Sequence, residues 1–224
     1  MSKKCQILIA LFVVLGLRTV AGGSIIYVDA DAPGFNNGSS WENAYNFMQD
    51  ALTDANSALK PVEIRGTEGI YTPDSNSADP NGSGDRTTTF QLINGVILRG
   101  GYAGFGEPDP DVRDVDFYKT ILSGDLDSND IDIIYINEPW DLLTEPTRSE
   151  NSYHVVTGSG TDETAILDGF NIASGNANGR YNTHESLGGG MYTDSGAATV
   201  MKTVHSNATQ LEVVVGGGIA RRAF

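Results

Sequence analysis

Cysteine is almost absent from this chain. The one residue of its kind, Cys5, has no second cysteine to pair with, so the fold must hold by packing and hydrogen bonding alone. Long apolar runs are scarce as well. The most apolar stretch, residues 7–17, is too short to cross a bilayer, and no later stretch reads as a span. Histidine is rare: His154, His184 and His205 stand far apart, with no His-x-x-x-His spacing and no cysteine nearby, so no zinc site is indicated. A Gly-x-Ser-x-Gly elbow is missing too, which leaves serine hydrolysis without a local signature. Positive charge is in short supply, with 14 Lys and Arg against 29 Asp and Glu and a formal net charge of −15. Such a chain repels nucleic acid and anionic lipid and attracts divalent cations.

What the sequence does contain begins with Lys3 and Lys4, the apolar run, and a small-residue exit at Ala21 and Gly22. That order reads as a secretory signal peptide over residues 1–23, and it predicts a secreted or cell-envelope protein whose mature domain covers residues 24–224. Its removal takes Lys3, Lys4 and Arg18 with it and makes the mature chain still more acidic. Cys5 precedes the apolar run instead of following it, so a lipid-anchored cysteine is not expected.

Residues 164–192 carry the plan of the domain. Ile166, Phe170 and Ile172 are apolar strand formers, and the clusters around Gly175-Asn-Ala177 and Gly188-Gly-Gly-Met191 suit corners at which the backbone visits positive φ. A weaker copy, Ser206-Asn-Ala208 and Gly216-Gly-Gly-Ile219, follows. Self-similarity at about 30 residues is a mark of stacked repeats in which no unit buries its own apolar face. An all-β solenoid with coils over residues 62–219 is therefore expected. Before the coils, Ser39 and Glu42 have capping-box spacing, and Trp41, Ala44, Tyr45, Met48, Ala51, Leu52 and Ala55 recur at helical intervals. They predict an amphipathic helix over residues 40–56, laid over the open edge of the first coil. Residues 62–65, 69–71, 88–92 and 96–99 read as short strands. The near-continuous apolar run at Val96 to Leu98 suits parallel strands, with a hairpin through Asn94-Gly95 as the local alternative. Residues 72–85 and 137–151 read as polar excursions.

Glycines at positions 100, 101, 104 and 106 invite comparison with a phosphate-cradling loop, but Glu107 and Pro108 follow where a helix would have to start, so the loop reads as structural. The chain ends in mid-pattern, without a polar cap. It reads as the N-terminal fragment of a longer protein, truncated or frame-shifted.

The same residues carry a resemblance. The Asn-Ala and Gly-Gly-Gly elements resemble polymorphic outer-membrane-protein repeats, with Val204 where Phe is usual and Gly218 where Ala is usual. The stretch from Ile25 to Tyr192 is similar to the secreted right-handed parallel β-helix proteins of the pectin-lyase-like superfamily. That resemblance implies a right-handed parallel β-helix with an N-terminal capping helix. It implies a structural, adhesive or glycan-contacting role, with polysaccharide or another surface protein as partner. The alternative it carries is a calcium-dependent, pectate-type polysaccharide lyase using an arginine as base, but no lyase motif surrounds any arginine here.

The acidic cluster at residues 125–130 is the best candidate site. Asp125, Asp127 and Asn129 alternate, with Asp130 beside them, so their oxygens suit one hard cation, Ca²⁺. An EF-hand-like loop would want Gly where Asp130 stands and an acid where Ile136 stands. Asp29 and Asp31 form a second, weaker candidate. Asp125 and Asp168 are the pair to inspect for glycosidase spacing. Trp140 and the aromatic residues around Trp41 are either packing groups or sugar platforms.

Overall fold

The computed structural model describes residues 23–131, 145–206, 213–215 and 218–220. The expected signal peptide, Trp140 and most of the excursion at 137–151 lie outside the described residues.

Three parallel sheets make the body. The first takes, in order, β1 (Ser24–Val28), β2 (Val62–Thr67), β5 (Val96–Tyr102), β8 (Ile166–Asp168) and β11 (Thr199–Met201). A second stacks β3 (Gly69–Tyr71), β6 (Thr120–Ser123), β9 (Asn171–Ala173) and β12 (Val204–Ser206). The third stacks β4 (Phe90–Gln91), β7 (Val156–Thr157) and β10 (Met191–Tyr192). From β2 to β12 the chain visits the three sheets in rotation, so neighbours within a sheet over that range are never consecutive in sequence.

Period-2 alternation decides which side chains face inward. In β2 the odd member of each pair differs sharply from the even one: Val62 and Ile64 are buried, while Glu63 and Arg65 face outward and are only half-buried. Register then aligns Ile26, Ile64, Leu98 and Leu167 into one buried column. Leu122 sits beside Ile172 in the second sheet, and Phe90, Val156 and Met191 line up in the third. Each fully buried Leu, Ile or Phe contributes roughly 1.5–3 kcal/mol. The core is thus built by stacking, not by any one segment.

The first half of the predicted helix is not helical. The α-helix, α1, spans Met48–Ser57, and its N-cap Phe47 makes no side-chain capping bond. Backbone demand explains the shift. The Tyr45 amide donates to Tyr27 and the Asp29 amide to the Tyr45 carbonyl, so this stretch closes the exposed edge of β1 with bonds a helix would have kept for itself. Ser40 accepts from the Asn43 amide in a local turn in place of the capping box. Trp41 is buried all the same, edge-on to Tyr27 at 4.7 Å and tilted against Tyr102 at 5.6 Å, with its Nε1 donating to Asp111. Met48, Ala51, Leu52 and Ala55 of α1 are buried against β1, β2 and β4.

The architecture expected from the sequence, an all-β right-handed parallel β-helix of regular coils, is corrected by these elements. The strands are short, from 2 residues in β4 to 7 in β5. Paired strands recur at unequal intervals: Val62 pairs with Val96, but Ile97 pairs with Ile166 and Phe90 with Val156. Long irregular segments between β3 and β4 and between β5 and β6 break any fixed period. Of the expected last copy, Asn207, Ala208, Gly216 and Gly217 lie outside the described residues, while β13 (Val213–Val215) pairs with β14 (Gly218–Ala220) in the antiparallel sense. Among the described residues, three parallel sheets of short strands, one antiparallel pair and one α-helix make the fold. Asn94-Gly95 makes a corner, with Gly95 at φ 74°, and not a hairpin, since β4 and β5 belong to different sheets.

Candidate functional site

The acidic corner follows β6. After Ser123 and Gly124 the chain turns, with Ser128 at φ 53°, and the Asp125 carboxylate closes the loop by accepting the Asn129 and Asp130 amides at 3.0 Å each. Asp127 and Asn129 point into solvent. Asp130 turns inward instead. Its Oδ2 accepts from Arg148 at 2.9 Å and from the Asn151 amide at 3.0 Å.

Arg148 and Asn151 arrive from a distant segment, the 3-10 turn Pro146–Arg148 and the residues behind it. That segment is locked by backbone bonds: the Ser152 amide donates to Gly124, and the Asn176 amide to Ser152. Asn176 also donates its side-chain amide to the Arg148 carbonyl, and Asn151 donates to the Ser174 carbonyl. The result places Glu150 beside the loop. Carboxylate oxygens of Asp125, Asp130 and Glu150 lie within 4.8 Å of one another. Burial and the charges of Asp125, Asp127 and Asp130 push the Glu150 carboxyl up from its ordinary range. Burial pulls the Arg148 guanidinium down, an effect opposed by the nearby carboxylates. Asp130 Oδ1, Glu150 Oε1 and Asn151 Oδ1 are buried and have no hydrogen-bond donor.

Of the four residues singled out in the sequence, then, Asp125 and Asp130 meet, and Asp127 and Asn129 do not join them in the described geometry. Glu150 was not legible as a partner, because nothing in its local sequence marks it. Asp29 is spent otherwise: its Oδ1 accepts the Asp31 amide and its Oδ2 the Phe105 amide, which ties the glycine-rich loop down. In that loop Gly104, at φ 83°, leaves no room for a Cβ against Thr67 and Asp29. Asp168 is paired with Arg113 at 3.1 Å and with Arg99 at 3.8 Å, so it is part of an outward-facing ionic ladder with Glu63 and Arg65. Arg86 reaches the Asn151 and Asn176 carbonyls and stacks on Tyr153. Arg65, Arg86, Arg99, Arg113 and Arg148 thus each meet carboxylates or carbonyls.

A second feature was not foreseen. The excursion between β9 and β10 folds around a cleft of about 930 Å³ lined by Asn178, Tyr181, Asn182, Thr183, His184, Leu187 and Tyr192, among others. Tyr181 stands 85% exposed on its rim. Tyr192 is backed by His154, stacked at 4.8 Å and 21°, and flanked by His184 at 6.0 Å. His154 is fixed by a hydrogen bond between its Nδ1 and the Gly188 carbonyl, and burial holds its pKa below the ordinary imidazole value. Two histidines thus meet at Tyr192, their own rings tilted by 32° with centroids 6.1 Å apart. Their spacing in the sequence offered no sign of it.

No family model, no curated protein and no solved structure matches this chain.

Proposed function

We propose that this chain is an exported structural or adhesive protein whose surface contacts saccharide through the cleft bearing Tyr181, His184 and Tyr192. The observation that carries the reading is the exposed Tyr181 ring facing a cleft backed by a stacked His154–Tyr192 pair. Aromatic faces pack against the apolar faces of sugar rings, while neighbouring amides and hydroxyls, here Asn178, Asn182, Thr183 and Ser186, meet the sugar's own hydroxyls. The leader-like start is in keeping with export. Among the described residues, no helix is long and apolar enough to cross a membrane.

A glycan array probed with the full chain tests this, followed by calorimetry on any hit. Tyr181→Ala and Tyr192→Ala are expected to weaken binding about tenfold or more, roughly 1.4 kcal/mol, with unchanged far-UV circular dichroism. No glycan above background from a folded sample, or full binding by both variants, ends the proposal.

A further inference from the structure

We propose that Asp125, Asp130 and Glu150, together with the side-chain oxygen of Asn151, form a site for one hard divalent cation of the calcium class. This is independent of the saccharide reading and rests on a different part of the molecule.

The first argument is charge. Three carboxylates converge within 4.8 Å, and among the contacts at this corner only Arg148 supplies a positive charge to them, through Asp130. The surplus is that of a divalent ion. Carboxylates this close and partly buried repel one another, and a fold keeps them together only when a positive charge or a proton intervenes.

The second argument is the oxygens left over. Asn151 is fully buried, and its amide nitrogen is held by two acceptors, Asp130 Oδ2 at 3.0 Å and the Ser174 carbonyl at 2.7 Å. Those bonds set the orientation of the amide and seat it against the Asp130 carboxylate. Its Oδ1 then has no donor, and neither do Asp130 Oδ1 and Glu150 Oε1. Buried acceptors without donors are costly and rare in native proteins. Water would satisfy one or two of them, but it would not offset the charge. An oxygen-only donor set of carboxylates and an amide carbonyl suits a hard ion that takes six to eight ligands in flexible geometry, with water filling the remainder. Soft metals prefer the thiolate and imidazole ligands that are lacking here.

The other acidic places do not compete. Asp29 has both oxygens engaged by backbone amides. The carboxylates of Asp50, Asp74 and Asp79 border a separate cleft beside α1, but among the described residues only the Asp125 corner brings three together.

The test is calorimetric titration of the chelator-treated full chain with calcium chloride, paired with thermal melting in calcium and in chelator. One saturable site is expected, with a melting temperature that climbs as calcium rises above its dissociation constant. Glu150→Gln is expected to lose at least tenfold in affinity, yet to melt no lower than the unaltered chain in chelator, because it removes a repelled charge. Asp125→Asn is the second variant, should the first fold poorly. Asp116→Asn, a 96% exposed carboxylate elsewhere, is expected to bind calcium normally. Absence of binding heat with identical melting in calcium and chelator overturns the proposal. So does unaltered affinity in both Glu150→Gln and Asp125→Asn, and a response to magnesium with none to calcium overturns the assigned class.

Discussion

Replacing Arg148 with methionine removes a cation from the least exposed ion pair in the described structure. The side chains of Arg148 and Asp130 are 4% and 13% exposed, and their atoms meet at 2.9 Å. Arg148 also donates to the Gly175 carbonyl at 3.1 Å. Breaking a buried pair from one side leaves the partner charge buried, at a cost of about 3–5 kcal/mol. For a domain of this size each kcal/mol lowers the melting temperature by roughly 2–4 °C, so a fall of roughly 6–20 °C is expected. The assay is thermal unfolding followed by circular dichroism in chelator, where no cation compensates. The double variant Arg148→Met with Asp130→Asn separates two explanations. If the loss comes from a stranded carboxylate, neutralising Asp130 recovers part of it, and the pair shows a favourable coupling in a double-mutant cycle. A single variant within about 1 kcal/mol of the unaltered chain refutes the reasoning, since that is the range of an exposed pair. So does a double variant less stable than the single one.

Two further outcomes follow from the same structure. Leu98→Ala, in the buried column between Ile64 and Leu167, is expected to cost about 2–5 kcal/mol, whereas Ile70→Ala at 64% exposure changes stability by less than about 0.5 kcal/mol; denaturant melts distinguish them, and equal effects would undo the assignment of the core. The Glu150 carboxyl, faced by Asp125, Asp127, Asp130 and Arg148, has its pKa raised above the ordinary 4.5 in the folded state. The folded chain therefore holds that proton more tightly than the unfolded one. In chelator, the Glu150 contribution weakens stability as pH rises from about 4.5 through the raised value, and it is relieved as pH falls back. Glu150→Gln should abolish that component of the pH profile, and a profile identical in the two chains would refute it.

Much of the fold was legible because it depends on local pattern. Alternation in Val62, Glu63, Ile64 and Arg65 identifies a strand and its inner face whatever that strand pairs with, and the apolar run of β5 marks a strand in a parallel stack. The C-terminal half of the amphipathic stripe, with Met48, Ala51, Leu52 and Ala55, is helical for the same reason. Its N-terminal half misled. Trp41, Ala44 and Tyr45 have helical spacing, but their backbone is drawn off to close the edge of β1, and no local rule reports the needs of a strand seventeen residues or so upstream in sequence. The regular period failed similarly: glycine-rich corners repeat, but insertions of unequal length between paired strands are settled by what the stack tolerates, not by the corners.

The sites divide along the same line. Acidic composition and the run Asp125 to Asp130 determine by themselves that carboxylates crowd one turn, because adjacency in sequence guarantees adjacency in space. The first strands and their inward faces are determined in that way too. Only the tertiary structure turned Asp130 inward and Asp127 outward, and only it brought Glu150 and the fully buried Asn151 across to meet them. The meeting of His154, Tyr192 and His184 was likewise decided there. Each of those meetings depends on the stacking of β6, β7, β9 and β10, and stacking is a long-range property that no residue carries alone.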